Sequence, residues 1–548
     1  MTLKPTLRGK KIKASYNEPK VSIYSGNPLI EALPPIYPEE IAMELMRFHP
    51  PYCESWRNEP TELRLQYIMN LERFVEPLRK YRDLERLISR MIRIAYVSRN
   101  PIQVGYPREI DSRVEEFFKV NNLEMQNYIP NEPHAKATGF ALIGISGVGK
   151  TTAIERIQLL YPQVIQHRKY NNHRLTMDQL VWLKLETPHN GSTKALCIHF
   201  FSEVDAILGT NYRRTHGNAK LSEEVLVKNM YRVALLQGIG LIVIDEIQHL
   251  SVAKSGGREE MLNFFTNLVN IIGVPVVLIG TPKAIKILTA EFRQTRRFSG
   301  YHTDTWDRLT KDDEWDYFIQ NLWSHQFTKH FTPLTKELSN ILYEETQGIT
   351  DFVIKLFMLA QIRAIESGDE MLSPQIIRSA ALDGFQLARP ILNALKSNDT
   401  ATLESFEDVY LKVQDYLESI FSGIIDNPND SSIVVPEYNK VIAGIAAWLI
   451  NADYPFHEAY CAAEKTVTKL GVTAPVSKLK GQALQFVIET QKHDSKNNTK
   501  TRKSSKKKEP KKQADSPKTE DKLEDNITDD SDGYNTLKLE GKILQGNI

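Results

Sequence analysis

The feature that most constrains this chain is the segment GISGVGKTT, Gly144 to Thr152. It has the spacing G-x-x-x-x-G-K-[ST], follows the apolar run FALIGI and opens TAIERIQLLY, whose apolar residues recur at helical intervals. Strand, glycine-rich turn and helix in that order make a cradle for phosphate. Glycines let the turn curl so that successive backbone N–H groups face inward. The helix start adds partial positive charge where an anion would sit. The candidate nucleotide-binding residues are therefore Gly144, Ser146, Gly147, Val148, Gly149, Lys150, Thr151 and Thr152. In such a cradle the lysine, Lys150, reaches the β- and γ-phosphates and the Thr151 hydroxyl meets Mg²⁺.

A second motif lies downstream, LIVIDE, Leu241 to Glu246. A buried strand ending in Asp-Glu delivers two carboxylates to the edge of the sheet beside the cradle. Asp245 is the candidate second Mg²⁺ ligand, and Glu246 the group that orients or deprotonates an attacking water. Alone, an apolar run ending in Asp-Glu is a common strand cap; the glycine motif gives it meaning. No NKxD guanine-reading motif follows the glycine loop. The nearest string, Asn439-Lys440, continues as Val-Ile. The cofactors expected are ATP and Mg²⁺.

Around these motifs, short apolar runs (FALIGI, VWLKL, LIVIDE, VPVVLIGT) alternate with amphipathic helices. That alternation predicts an α/β fold with a parallel sheet covered on both faces. Residues 1–36 read as an extended arm and residues 37–120 as mostly helical, with Pro77 ending or kinking a helix. After about residue 310 the strands cease and helical segments follow. Hydrophobic residues fade from about 491, leaving a basic block from Lys496 to Lys512 and an acidic one from Asp515 to Asp532. The expected division is an arm and helical region (1–120), a nucleotide-binding base (121–310), a helical lid (311–395), a C-terminal helical region (396–490) and a disordered charged tail (491–548). The net charge of +1 points to no partner class. Cys53, Cys197 and Cys461 are too scattered for a zinc site or a disulfide framework. No signal peptide or membrane-spanning run is visible, so a soluble cytoplasmic protein is expected.

VPVVLIGT ends in Thr281, followed by Pro282. A polar residue at that strand tip can hydrogen-bond the attacking water or the γ-phosphate, as the sensor I residue of AAA+ ATPases does. The same Thr-Pro pair also makes an ordinary helix start. Next comes EFRQTRRFSG, with Arg293, Arg296 and Arg297. An AAA+ ring places an arginine finger here, reaching a neighbouring subunit's nucleotide, and Arg296 or Arg297 is the candidate. Arginines at a helix end also have a plain electrostatic reason to be there. In the lid, GITDFVIKLF offers Lys355 as its first cation, so either Lys355 replaces a sensor II arginine or that sensor is missing.

Taken together, GISGVGKTT, LIVIDEIQHL, VVLIGTPKA and the RRF arginines resemble the TniB, IstB and TnsC group of transposition ATPases. YSGNPLIEALPPI, the chain length and the helical N-terminal addition fit the TnsC family within it. The resemblance runs over roughly residues 20–390. It implies an AAA+ P-loop ATPase whose ATP-bound form assembles as a homo-oligomeric ring or filament on duplex DNA in the bacterial cytoplasm. It further implies partners: a TnsD- or TniQ-like target selector, with the helical region of 1–120 as its docking site, and TnsA- and TnsB-like transposase subunits, with the tail as theirs. In such a ring Arg213, Arg214, Lys220, Lys228 and Arg232 would track phosphates without reading bases, although a basic loop is often only a solvated surface. The competing functional readings are an AAA+ motor and a signalling NTPase with no role in transposition.

Overall fold

The computed structural model describes residues 7–103, 139–252, 264–265, 269, 273–285, 306–397, 437–452, 454–471 and 474–488. Strands among the described residues are β1 (Lys11–Lys13), β2 (Gly139–Ile143), β3 (Val164–Tyr170), β4 (His173–Leu180), β5 (Trp182–Glu186), β6 (Leu241–Asp245) and β7 (Val276–Gly280). The four apolar runs picked out by pattern are β2, β5, β6 and β7. They form one all-parallel sheet in the order β2-β7-β6-β5. Its residues divide by parity between two cores. Phe140, Leu142, Val243, Val277 and Ile279 face one, and Ala141, Ile143, Ile242, Ile244, Val276 and Leu278 face the other. Burial on both faces is what near-continuous apolar strands require.

A second sheet, β1-β3-β4, departs from the sequence reading. β3 and β4 form an antiparallel hairpin across Asn171-Asn172, with Asn171 at φ 49°, a left-handed conformation that asparagine tolerates. Its strands carry charged and polar residues, so no apolar run marks them. β1 belongs to the arm and pairs in parallel with β3, Lys11 opposite Val164. The arm is therefore partly sheet, and it also holds a short helix, Pro28–Glu31, capped by the Asn27 side chain.

Helices of eight or more residues begin with α1 (Glu39–Met46), α2 (Thr61–Met69) and α3 (Arg79–Val97). Pro77 lies in the extended stretch before α3, so it separates helices and kinks none. This N-terminal set is bonded to the rest at several points. Tyr96 Oη donates to the Gly238 carbonyl at 2.7 Å, and Arg99 Nη1 to the Ile239 carbonyl at 2.7 Å. The base adds α4 (Lys150–Gln158), α5 (Thr193–Leu208) and α6 (Glu223–Leu236). The lid contains α7 (Asp313–Trp323), α8 (Lys336–Thr346), α9 (Thr350–Glu366), α10 (Pro374–Gly384) and α11 (Arg389–Ser397), as the helical periodicity after residue 310 predicts. Side-chain caps start several of them: Asp312 for α7, Thr335 for α8 and Ser373 for α10.

One buried ion pair joins the N-terminal helices to the lid. Arg64 of α2 is fully buried, and its two terminal nitrogens each donate to a Glu370 carboxylate oxygen at 2.7 Å. The carbonyls of Glu59 and Phe327 also accept from its guanidinium. Farther along, α12 (Glu437–Asn451), α13 (Phe456–Leu470) and a helix starting at residue 476 enclose a small core that also takes in Ile41 of α1. Among the described residues no helix is long and apolar enough to cross a membrane.

Candidate nucleotide-binding site

β2 ends at Ile143, the chain turns through Gly144–Gly149, and α4 begins at Lys150. Two glycines are required by the turn, Gly147 at φ 85° and Gly149 at φ 89°. Gly144 is required by crowding instead, since a Cβ there would stand 2.1 Å from the Trp306 carbonyl oxygen. Trp306 straps the loop from outside. Its backbone N–H donates to the Ile143 carbonyl at 2.7 Å and its indole N–H to the Val148 carbonyl at 2.7 Å. The lid holds the other side, because the Gly147 carbonyl accepts from Thr350 Oγ1 and from the Asp351 N–H, both at 3.0 Å. Gly144→Ala must push Trp306 away, so nucleotide affinity should fall at least tenfold, about 1.4 kcal/mol, with the fold retained. Titration with a fluorescent ATP analogue checks this, and unchanged affinity would show that the close approach of Trp306 is dispensable.

Lys150 folds back across the loop, its Nζ donating to the Gly144 and Ile145 carbonyls at 2.7 Å. Next to it Thr151 Oγ1 donates to Asp245 Oδ2 at 3.0 Å, which brings the two sequence-predicted metal ligands together. A hydroxyl and a carboxylate are the hard oxygen donors that Mg²⁺ takes, alongside waters and phosphate oxygens. The residues present therefore fit that ion. The β6 end is fixed by Thr187, whose hydroxyl and backbone N–H both donate to the Asp245 carbonyl, at 2.8 and 2.9 Å.

Sequence reasoning missed Lys184, on β5. Its ammonium lies 2.7 Å from Glu155 and 3.4 Å from Asp245 Oδ2. Burial, the largest single effect, pulls its pKa down, but the attraction of Glu155 and Asp245 outweighs it and holds the ammonium above its usual value. Lys184 thus supplies positive charge to Asp245 from the neighbouring strand. A lone lysine in a strand gives no spacing signal, and only the pairing of β5 with β6 reveals it.

Glu246 leaves the strand at φ 59°, a left-handed position that a non-glycine residue rarely takes. Its side chain is exposed and faces the same space as Asp245 and Thr281. Gln248 links it to the neighbouring strand: its amide donates to the Glu246 carboxylate and accepts from the Thr281 N–H at 3.2 Å. Thr281 is buried at the tip of β7, and its carbonyl accepts from the Ala284 N–H at 2.9 Å, so a helical turn also starts there. Gln248 was also missed, though it stands within the string DEIQHL.

The glycine loop from Ser146 onward, Asp245, Glu246, Gln248, Thr281 and Trp306 line one cavity of about 890 Å³, within the range that small-molecule sites occupy. Its walls come from three regions. The base supplies the glycine loop, Asp245, Glu246, Gln248 and Thr281; the N-terminal segment supplies Arg73, Phe74, Glu76 and Tyr81; the lid supplies Arg308, Leu309 and Ile354. Burial pushes the Tyr81 phenol well above its ordinary value, so it stays neutral. Arg156 of α4 donates to the Met46 carbonyl at 2.6 Å and to the Leu45 and Arg47 carbonyls, clamping the end of α1 to the phosphate-loop helix. Lys355 is not in the wall. It forms an exposed ion pair with Asp351 at 2.8 Å, and the lid-side cation facing the cavity is Arg308, which donates to Gln347.

The remaining site candidates fall elsewhere. Arg213, Arg214 and Lys220 lie in the connection between α5 and α6, and Lys228 and Arg232 are half-buried on α6. Asp205 pins the start of that connection, accepting from the Tyr212 and Arg213 N–H groups at 2.6 and 2.7 Å. Arg213 turns its guanidinium to the Gly217 carbonyl, which leaves Arg214 and Lys220 as the exposed cations. Arg293, Arg296 and Arg297 lie outside the described residues, as do 398–436 and the charged tail.

No curated protein matches the sequence. Among solved structures, loose likenesses include the ORC1 protein of Aeropyrum pernix in complex with DNA, at 14% identity over 68% of this chain and 81% of that one (TM-score 0.31). Cdc6p of Pyrobaculum aerophilum is 13% identical over 72% of this chain and 98% of that one (TM-score 0.32). A Walker-type ATPase of Pyrococcus abyssi is 14% identical over 58% of this chain and 85% of that one (TM-score 0.32). Overlaps this loose add nothing to the geometry. Residues 135–288 match the family described as AAA domain, in keeping with the site just built: the chain has the fold of an AAA+ P-loop ATPase, enlarged by helices on its N- and C-terminal sides.

Proposed function

We propose that this protein is an ATP-dependent, DNA-binding regulator of DNA transposition, in which nucleotide state sets assembly and hydrolysis resets it. The observation that carries the switch is the three-sided cavity. Base, lid and N-terminal segment all wall it, so a nucleotide entering it touches every part whose relative position could signal occupancy. In this reading Lys150 leaves the Gly144 and Ile145 carbonyls for the β- and γ-phosphates, while Thr151 and Asp245 hold Mg²⁺. The bound Mg²⁺ supplies charge neutralisation to the phosphates. Glu246 orients and deprotonates the attacking water. Gln248 keeps Glu246 in register with Thr281, which senses the γ-phosphate, and Arg296 or Arg297 of an adjoining copy completes the site.

The ATP-bound form assembles as a ring or filament on duplex DNA and links a TnsD- or TniQ-like selector to TnsA- and TnsB-like transposase subunits. The resemblance of DEIQHL and IGTPKA to the transposition ATPases supports these partners and a bacterial cytoplasmic setting. Arg214 and Lys220 are the foremost DNA contacts because they are exposed on a loop pinned by Asp205, with Arg213, Lys228 and Arg232 behind them. Replacing Arg214 and Lys220 together by Ala should weaken ATP-dependent duplex binding. The log–log salt slope should fall by about 0.9 for each phosphate that is no longer neutralised. Anisotropy titrations over a range of salt check this, and an unchanged slope would remove this loop from the interface.

A further inference from the structure

The described C-terminal helices carry a feature that nucleotide chemistry leaves unexplained. α13 closes at Gly471, whose N–H bonds to the Val467 carbonyl and whose φ is 77°. The next described helix starts at residue 476. The two helices share one core with α12, to which Ala463, Val467, Leu479, Ala483 and Val487 all belong. Two cation–π contacts fix the last helix against both others: Lys469 of α13 over Phe486 and Lys480 over Trp448 of α12, each at 5.4 Å. Two successive helices supported by a third are also the parts from which helix-turn-helix units are built.

The outward face of the last helix has the composition that such a framework presents to DNA. Buried Leu479, Ala483 and Val487 define the inner stripe at intervals of four. Ser477, Lys478, Gly481, Gln482 and Gln485 then fall on the other side; Gln482 is half-buried and the rest are exposed. Hydroxyl, ammonium and amide groups are the ones that pair with base edges in a major groove. The described part of this helix holds Lys478 and Lys480 and no acid, and Lys465 and Lys469 stand exposed on α13 beside Glu464. Gly481 adds an independent sign. A glycine inside a helix costs stability relative to alanine, yet nothing lies within 4 Å of a Cβ built there. Internal packing gives no reason for it, whereas close approach of a rigid external partner does.

We infer that the unit formed by α12, α13 and the helix from residue 476 is a second duplex-DNA-binding site, separate from the nucleotide cavity, with that last helix lying in the major groove. Lys478 and Gln482 read bases, Gln485 and Ser477 flank them, and Gly481 lets the helix come close. Lys465 and Lys469 meet the phosphates alongside. This contact needs no nucleotide and so stands apart from the ATP-dependent binding proposed above.

The test selects from a pool of randomised duplexes with the full chain carrying Lys150→Ala, without nucleotide. The expected result is enrichment of a short sequence motif, because a lysine-rich tail binding phosphates alone enriches none. Lys478→Ala combined with Gln482→Ala should abolish the enrichment and weaken binding to the selected duplex at least tenfold. Gly481→Ala should raise thermal stability while lowering affinity, which separates docking from folding. A photo-crosslinking residue at position 482 of the otherwise unchanged chain should attach to the selected duplex. Absence of any enriched motif, or its retention by the double variant together with no crosslink, would overturn the assignment.

Discussion

A Glu246→Gln chain is expected to bind ATP as tightly as the unaltered protein and to hydrolyse it about 10²–10⁴-fold more slowly, the span that a positioned general base contributes. The substitution keeps the shape of the side chain and a partner for Gln248. It removes only the charge that accepts a proton from water. The position is also one where the backbone is held at φ 59°, a conformation that must be offset elsewhere and that aims the side chain into the cavity. Single-turnover phosphate release beside a nucleotide titration separates the two steps. Unaltered release would transfer the role to another group, and a loss of binding equal to the loss of rate would make Glu246 a ligand for the nucleotide.

Arg64→Ala should destabilise the protein by about 3–5 kcal/mol, the cost of leaving one member of a buried ion pair without its partner. Arg64 is fully buried, and two of its bonds reach Glu370, which carries a positive φ of 54°. Hydrogen bonds from Arg64, more than any other influence, hold the Glu370 carboxyl below the usual glutamate range. A depressed carboxyl contributes its stability above the unfolded pKa, near 4.3, and loses it as pH falls through the folded value. Urea midpoints measured between neutral and acidic pH should therefore fall less steeply with acid in the variant than in the unaltered chain. Parallel curves would mean that the pair contributes no pH-dependent stability. Because the pair ties α2 to the lid, nucleotide affinity should also fall.

Much of the geometry of the candidate site was legible because its residues are grouped locally in sequence. Gly147 and Gly149 are forced by backbone angles, and Lys150 and Thr151 follow from the start of the helix. Asp245 and Glu246 were readable because a strand buried on both faces has almost no polar residues, so an Asp-Glu at its end stands out. The hairpin β3-β4 was not readable, since its polar alternation mimics a surface segment until β1 pairs with it. Lys184, Gln248 and Arg308 were invisible for another reason. Each acts through a neighbour brought in by strand order or lid packing, and no interval along the chain records that. The wall of Phe74, Glu76 and Tyr81 belongs to the same class: the N-terminal helices read as a docking region, yet they also close the cavity.

The most direct test of the proposed switch is sedimentation of the protein with a plain duplex, comparing a non-hydrolysable ATP analogue with ADP. Ordered oligomers are predicted only when analogue and DNA are both present, and none with ADP or with Lys150→Ala. Oligomers of the same size without DNA, or equally with ADP, would contradict the account and return the protein to a motor or a signalling NTPase.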